Sequence, residues 1–249
     1  MKSAAPKLPS NNFLPKYFST IKNWHGHIPF AVDLICAQKP RVIVELGTHY
    51  GDSYFTFCQA CDEFSVSCQL YAIDHWNGDE FSGFYNASVY KSVLDFNNEH
   101  YSANSSLIKS KFIDAVNGFQ ENSIDILHID GMHDYDSVKS DFLQWFSKVS
   151  DNGVILLHDI NVYENNFGVY KLWEELKLEF LTLQYEYSYG LGVLFKGKEY
   201  DFKPSMLRFY NKSKTNKYRE YYMSKSMEII NYTRKNLTND NLSCMKETL

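Results

Sequence analysis

From about residue 29 the chain alternates short apolar blocks with longer amphipathic stretches. PFAVDLICA, residues 29–37, fits a short helix stopped by Lys39-Pro40, because a residue preceding proline is pushed out of the helical region. Residues 41–46 are a β-branched apolar run that ends in Gly47, the mark of a buried strand entering a turn. Residues 53–61 continue as a helix, and residues 69–73 form a second strand ending at Asp74. A polar, aromatic loop, HWNGDEFSGFYN, leads into a helix over residues 89–101.

Leu107-Ile108 is a weak third strand, and residues 114–119 a short helix. Residues 124–129 are a fourth strand ending at Asp130. Residues 136–149 place Val138, Phe142, Trp145 and Phe146 on one helical face. Asp151-Asn152-Gly153 reads as a turn into a fifth strand, 154–157, which ends at His158-Asp159. A helix over 170–180 and a late strand over 189–195 follow. Strands alternating with helices imply an α/β fold: a parallel sheet covered on both faces. Ligands of such sheets bind beyond the carboxyl ends of the strands. Those ends carry Glu45 with Gly47, Asp74, Asp130 and Asp159, four acidic positions that packing alone does not explain.

Residues 1–25 are rich in Pro, Ser, Asn and Lys and read as a loose arm, 26–200 as the folded domain, and 201–249 as a basic, Tyr-rich helical extension. In the extension Tyr218, Tyr221, Tyr222, Met227 and Ile230 recur at near-helical spacing, which fits core packing or a contact between copies in a homo-oligomer. The net charge of −5 divides into −11 over residues 1–202 and +6 over 203–249. An acidic body excludes nucleic acid as the expected partner, since that binding rests on neutralising phosphates. No run of 18 apolar residues offers a transmembrane helix, and the N-terminal stretch lacks the apolar centre of a secretory signal. Five cysteines in 249 residues read as reduced thiols, so the expected location is the cytoplasm. Cys58-x-x-Cys61 is half a zinc site with no second pair.

Three motifs carry candidate chemistry. VELGTHYGDS places Gly47 and Gly51 where a backbone turns tightly toward a ligand at a helix N-terminus, but it has neither the Lys-Ser/Thr of a P-loop nor a third glycine. Asp74, just past the second strand, is placed to accept ribose hydroxyls. If the fourth and fifth strands are neighbours, Asp130 and Asp159 lie side by side. Two carboxylates that close call for a cation or a shared proton. His133, three residues beyond Asp130, is a candidate general base.

These stretches, with AIDHWNGDEFSGFY, SIDILHIDGMHDYDSVKSDFLQW, NGVILLHDINV, FGVYKLWEEL and GLGVLF, resemble class I S-adenosylmethionine-dependent methyltransferases over residues 41–194. More narrowly they resemble the group found among bacterial glycan-biosynthesis proteins, which is similar to catechol-type and macrolide-sugar O-methyltransferases. The resemblance implies a Rossmann-like, mostly parallel seven-stranded sheet with helices on both faces. It implies O-methylation of a sugar hydroxyl in capsule, O-antigen or related glycan assembly, with S-adenosylmethionine as cofactor, a small-molecule or glycan acceptor and glycan-assembly enzymes as partners. Residue by residue, Glu45, Gly47, Thr48, Gly51 and Ser53 would surround the methionine end, Asp74 the ribose, and Asp114 with Ala115 the adenine. Asp130 would face both the cofactor and a divalent cation such as Mg²⁺, with Asp159 and His158 as its other ligands and His133 as the base. The catechol-type pattern has Asp-Asn after the fifth strand and the macrolide-sugar pattern Glu-Asp, whereas here the order is His158-Asp159-Ile160. Other acceptors on the same fold, a small natural product or an amine, and a catalytically silent nucleoside-binding module docking a glycosyltransferase, are the competing readings.

Overall fold

A computed structural model of the chain describes residues 7–198, 201–210 and 212–246. In chain order the elements are α1 Ile28–Gln38, β1 Val42–Leu46, α2 Asp52–Glu63, β2 Gln69–Asp74, a small hairpin of β3 Gly78–Asp79 and β4 Gly83–Phe84, α3 Ala87–His100 and β5 Ser105–Lys109. Then come α4 Phe112–Ala115, β6 Ile124–Ile129, α5 Tyr135–Phe146, β7 Val149–His158, α6 Val169–Glu179, β8 Leu181–Tyr185, β9 Leu191–Phe195, α7 Leu207–Tyr210 and α8 Lys212–Lys246. Seven strands pair in the order β5-β2-β1-β6-β7-β9-β8. The first five run parallel, and β9 is antiparallel to both of its neighbours.

Alternation along the central strands splits the core in two. Ile43, Ile126, Val154 and Leu156 face α1, α2 and α8, where Phe30, Phe57 and Tyr222 are sealed. Val44, Leu46, Leu127 and Leu157 face α5 and α6, against Val138, Phe142, Trp145 and Trp173. A strand buried on both faces has no polar side to show, which is why these segments read as continuous apolar runs.

Three expectations are corrected. Asp151-Asn152-Gly153 is no turn: β7 runs through it, and its pairing with β6 skips from Ile124↔Val149 to Ile126↔Val154, so the extra residues form a bulge. The short helix expected from residue 114 begins at Phe112 and tightens into a 3₁₀ turn over Val116–Gly118. The arm is not loose within its described part. Leu8 and Phe13 are buried, and Ser10 donates to both carboxylate oxygens of Asp33, from N at 2.9 Å and from Oγ at 2.7 Å.

Tyr222 on α8 donates to the same Asp33 carboxylate at 2.9 Å. One buried acid on α1 thus ties both the N-terminal arm and α8 to the domain. The inward face of α8 is Tyr222, Ser226, Ile229 and Thr233, while Met227 is 57% exposed, so its stripe is shifted from the one expected. Asp33→Ala leaves two buried donors, Ser10 N and the Tyr222 hydroxyl, without an acceptor, at about 1–3 kcal/mol for each that water does not reach, while Ser10 Oγ keeps the Tyr221 hydroxyl at 2.8 Å. We expect it to lower the free energy of unfolding by at least about 2 kcal/mol in urea titrations, and an unchanged midpoint would refute this role.

Candidate active site

The carboxyl ends of β1, β2, β6 and β7 open into one cleft of about 980 Å³. Its floor depends on Gly47. At φ +86° the backbone turns back so closely that a Cβ would stand 2.0 Å from the Asp130 carbonyl oxygen. Gly47 N donates to Ile73 O at 2.9 Å and Asp130 N to Leu46 O at 2.8 Å, locking the ends of three strands together. Asp74 Oδ2 accepts from the backbone N–H groups of Thr48 and His49 at 3.0 and 2.9 Å, and Oδ1 from Trp76 N at 2.7 Å. The residue expected on ribose therefore also shapes the loop that follows β1.

Thr48, Ser53, Asp74 and Asp130 line the cleft as expected, together with Gly47. Gly51 caps α2 at φ +89° and is off the wall. Glu45 is off the wall too: its place in β1 turns it to the α1 and α2 side, where it is 0% exposed. There it meets His128 Nδ1 at 2.8 Å, while Trp24 Nε1 donates to His128 Nε2 at 3.3 Å. That donation leaves Nδ1 as the protonated nitrogen, so His128 donates to Glu45. Burial pushes the Glu45 carboxyl above the usual range, and its Oε1 has no partner. Asp114 and Ala115 face a second, separate cavity, because α4 starts two residues early and presents Lys111, Phe112 and Ile113 to the cleft instead.

Past β6 and β7 the charged cluster assembles. His133 Nε2 lies 2.8 Å from Asp159 Oδ2 and 3.7 Å from Asp130 Oδ1. His158 Nδ1 lies 3.2 Å from Asp130 Oδ1 and 3.4 Å from Asp159 Oδ1. Burial disfavours charge on both histidines, but the carboxylates more than offset it, holding His133 at about 10 and His158 at about 9. Burial would raise Asp130, yet His158 and His133 hold it well below the usual carboxylate range. Asp159 sits at φ +62°, a left-handed backbone that a non-glycine residue adopts at a cost.

Of the expected ligands, His158 donates Nε2–H to the Ser188 carbonyl at 3.0 Å and turns Nδ1 to the two aspartates, and the three groups whose ligand atoms lie within 4.8 Å of one another are Asp130, His133 and Asp159. The aromatic loop is revised. Trp76 is buried and donates Nε1 to His49 O at 3.0 Å. Phe81, from the turn of the hairpin, meets the His133 ring edge-on at 5.5 Å, and Phe167 stacks on its face at 4.7 Å. Sequence reasoning missed Phe167 and Tyr189, which also line the cleft, since nothing in their local pattern separates them from other loop aromatics.

A sheet of this order, with one antiparallel strand in the sixth position and a cleft over β1, β2, β6 and β7, is the class I S-adenosylmethionine-dependent methyltransferase fold. Residues 44–160 match the family model described as a methyltransferase domain. Over 185 residues it is 43% identical to the uncharacterized protein y4gI of Sinorhizobium fredii, covering 74% of this chain and 20% of that protein. The chain thus spans about a fifth of the length of that curated relative. Among solved structures, the S-adenosylmethionine complex of the O-methyltransferase TomG from Streptomyces achromogenes, involved in tomaymycin synthesis, superposes with a TM-score of 0.51 at 13% identity, covering 71% of this chain and 88% of that one. The S-adenosylhomocysteine-bound methyltransferase PaMTH1 of Podospora anserina gives 0.52 at 12% identity, covering 68% and 77%. These likenesses concern the fold. No helix among the described residues is long and apolar enough to cross a membrane.

Proposed function

We propose that the protein is an S-adenosylmethionine-dependent O-methyltransferase whose acceptor is a sugar hydroxyl in cytoplasmic glycan assembly, working beside glycan-assembly enzymes. The observation that carries the reading is the meeting of the Gly47 loop with Asp130, His133 and Asp159 in one cleft. The cofactor supplies a methyl group already activated on a sulfonium, so the protein has to position an acceptor in line and accept its proton. The chain fits it at one point: Thr48 Oγ1, on the cleft wall, is buried with no partner, and a hydroxyl donor there suits the carboxylate end of an amino acid.

On the acceptor side His133 is the proton-accepting group and Asp159 orients its ring. The ring works as a base only when neutral, and the two carboxylates beside it favour its charged form. A sulfonium placed beside the same carboxylates opposes that charge and favours loss of the proton. Asp130, His133 and Asp159 also offer the oxygen and nitrogen donors that fit a divalent cation, which would acidify an acceptor hydroxyl. Phe81, Phe167 and Tyr189 give flat apolar walls near His133, which supports a sugar ring as the acceptor.

The test is incubation of the full chain with S-adenosylmethionine and a panel of nucleotide sugars, lipid-linked sugars and oligosaccharides, read by mass. Gain of one methyl group on a sugar oxygen is the expected result. Methylation of only a phenol or an amine removes the sugar assignment, and binding without transfer to any acceptor removes the enzyme. For the ribose contact, Asp74→Ala is expected to weaken S-adenosylhomocysteine about 10- to 100-fold in calorimetry, the loss of a hydrogen-bonded charge. Affinity equal to the parent's would take Asp74 out of the cofactor site.

A further inference from the structure

The long helix α8 carries two seams. One faces the domain, where Tyr222, Ser226, Ile229 and Thr233 are buried. The other runs along its outer flank through Glu220, Met223, Met227, Ile230, Arg234 and Leu237, in alternating steps of three and four residues. That is the spacing with which one helix packs along another in a coiled coil. Met223 is 63% and Met227 57% exposed, with Ile230 and Leu237 half-buried beyond them. Apolar residues scattered singly over a surface need no explanation, but these four share one stripe.

The charges in the stripe say what covers it. Glu220 and Arg234 are exposed, hold the same heptad position as Met227, and stand seven residues to either side of it, about 10 Å along the axis. A second α8 crossing antiparallel at Met227 sets Glu220 of each copy against Arg234 of the other. A parallel pairing sets Glu220 against Glu220 and Arg234 against Arg234, and like charges then oppose it at both ends. The seam is therefore complementary to itself about a two-fold axis in one orientation only. An anionic lipid surface fits it worse, because the Glu220 carboxylate lies within the stripe and not behind it. We propose that the outer flank of α8 is an interaction surface for a second copy of this chain, docked antiparallel about Met227. No described residue of α8 lines the cleft, so the contact is separate from the candidate active site.

The experiment is sedimentation equilibrium of the full chain. At about 100 µM the wild-type chain is expected at twice the mass of one copy, with a dissociation constant of about 10 µM or tighter. Met227→Glu puts two acids at the crossing and is expected to raise that constant at least about 100-fold. Glu220→Arg and Arg234→Glu each bring like charges together and weaken self-association at least about tenfold. Mixed in equal amounts, these two variants recover the parent constant to within about threefold, because an antiparallel pair made of one of each has opposite charges at both ends. A variant that failed to fold would not be rescued by mixing. A wild-type monomer at about 100 µM, a dimer that survives Met227→Glu, or no gain on mixing overturns the proposal. Pelleting of a monomeric chain with phosphatidylglycerol vesicles also overturns it, and assigns the flank to an anionic lipid surface.

Discussion

His133→Ala is expected to lower methyl transfer about 10²- to 10⁴-fold, the usual contribution of a positioned general base, while S-adenosylhomocysteine binds within about threefold of the parent affinity. The separation follows from where the ring sits. His133 leaves the loop after β6 and turns to Asp159, 2.8 Å away, between Phe81 and Phe167, and Asp74, the residue proposed for the ribose, belongs to another strand. The fold should survive, because His158 remains beside both carboxylates at 3.2 and 3.4 Å. Full turnover in this variant with a true acceptor sinks the base assignment. EDTA gives a second reading of the same atoms. If it abolishes turnover of the wild-type chain and Mg²⁺ restores it, Asp130, His133 and Asp159 hold a cation and His133 is its ligand.

Gly47→Val should be more damaging to binding than any single change on the cleft wall, with S-adenosylhomocysteine affinity down by more than about 100-fold, or ~2.7 kcal/mol. Two costs combine. A β-branched residue is strongly disfavoured at φ +86°, and its Cβ would lie 2.0 Å from Asp130 O, 2.6 Å from the Asp130 carbonyl carbon and 2.9 Å from Gly131 Cα. None of those atoms belongs to a flexible side chain, so the loop after β6 must move. That loop carries Asp130 and His133, and the displacement reaches both ends of the cleft. Gly47→Ala meets the same clash with a smaller group and is expected to be intermediate in calorimetry. Parent-like affinity in Gly47→Val would show that the loops after β1 and β6 are not in register with the cofactor.

Most of the architecture was legible because each central strand is apolar on both faces and ends at a glycine or an acid. The strand 124–129 was read to the residue, since Ile124, Ile126, Leu127 and Ile129 leave no other pattern. The strand β8 was not read: LTLQY follows α6 without a glycine or proline to announce it, and its pairing with β9 alone makes it a strand. The bulge in β7 was misread for a related reason. Asp-Asn-Gly has turn chemistry locally, and only ladder contacts with β6 and β9 hold it extended.

At the site, sequence order by itself determined which residues end each strand, and parallel pairing then had to collect Gly47, Asp74, Asp130 and Asp159 at one edge. Side-chain direction was decided only by the tertiary structure. Glu45 is adjacent in sequence to a strand end that opens on the cleft, yet the pleat turns it inward to His128, which Trp24 holds from the other side. His158 and His133 look interchangeable as letters, but a distant carbonyl, Ser188 O, takes the Nε2–H of His158 and turns its Nδ1 to the aspartates, whereas His133 meets them with Nε2. Strand ends follow from local pattern, because apolar periodicity and turn residues act over a few positions; partners of buried polar atoms do not, because they come from segments tens of residues away.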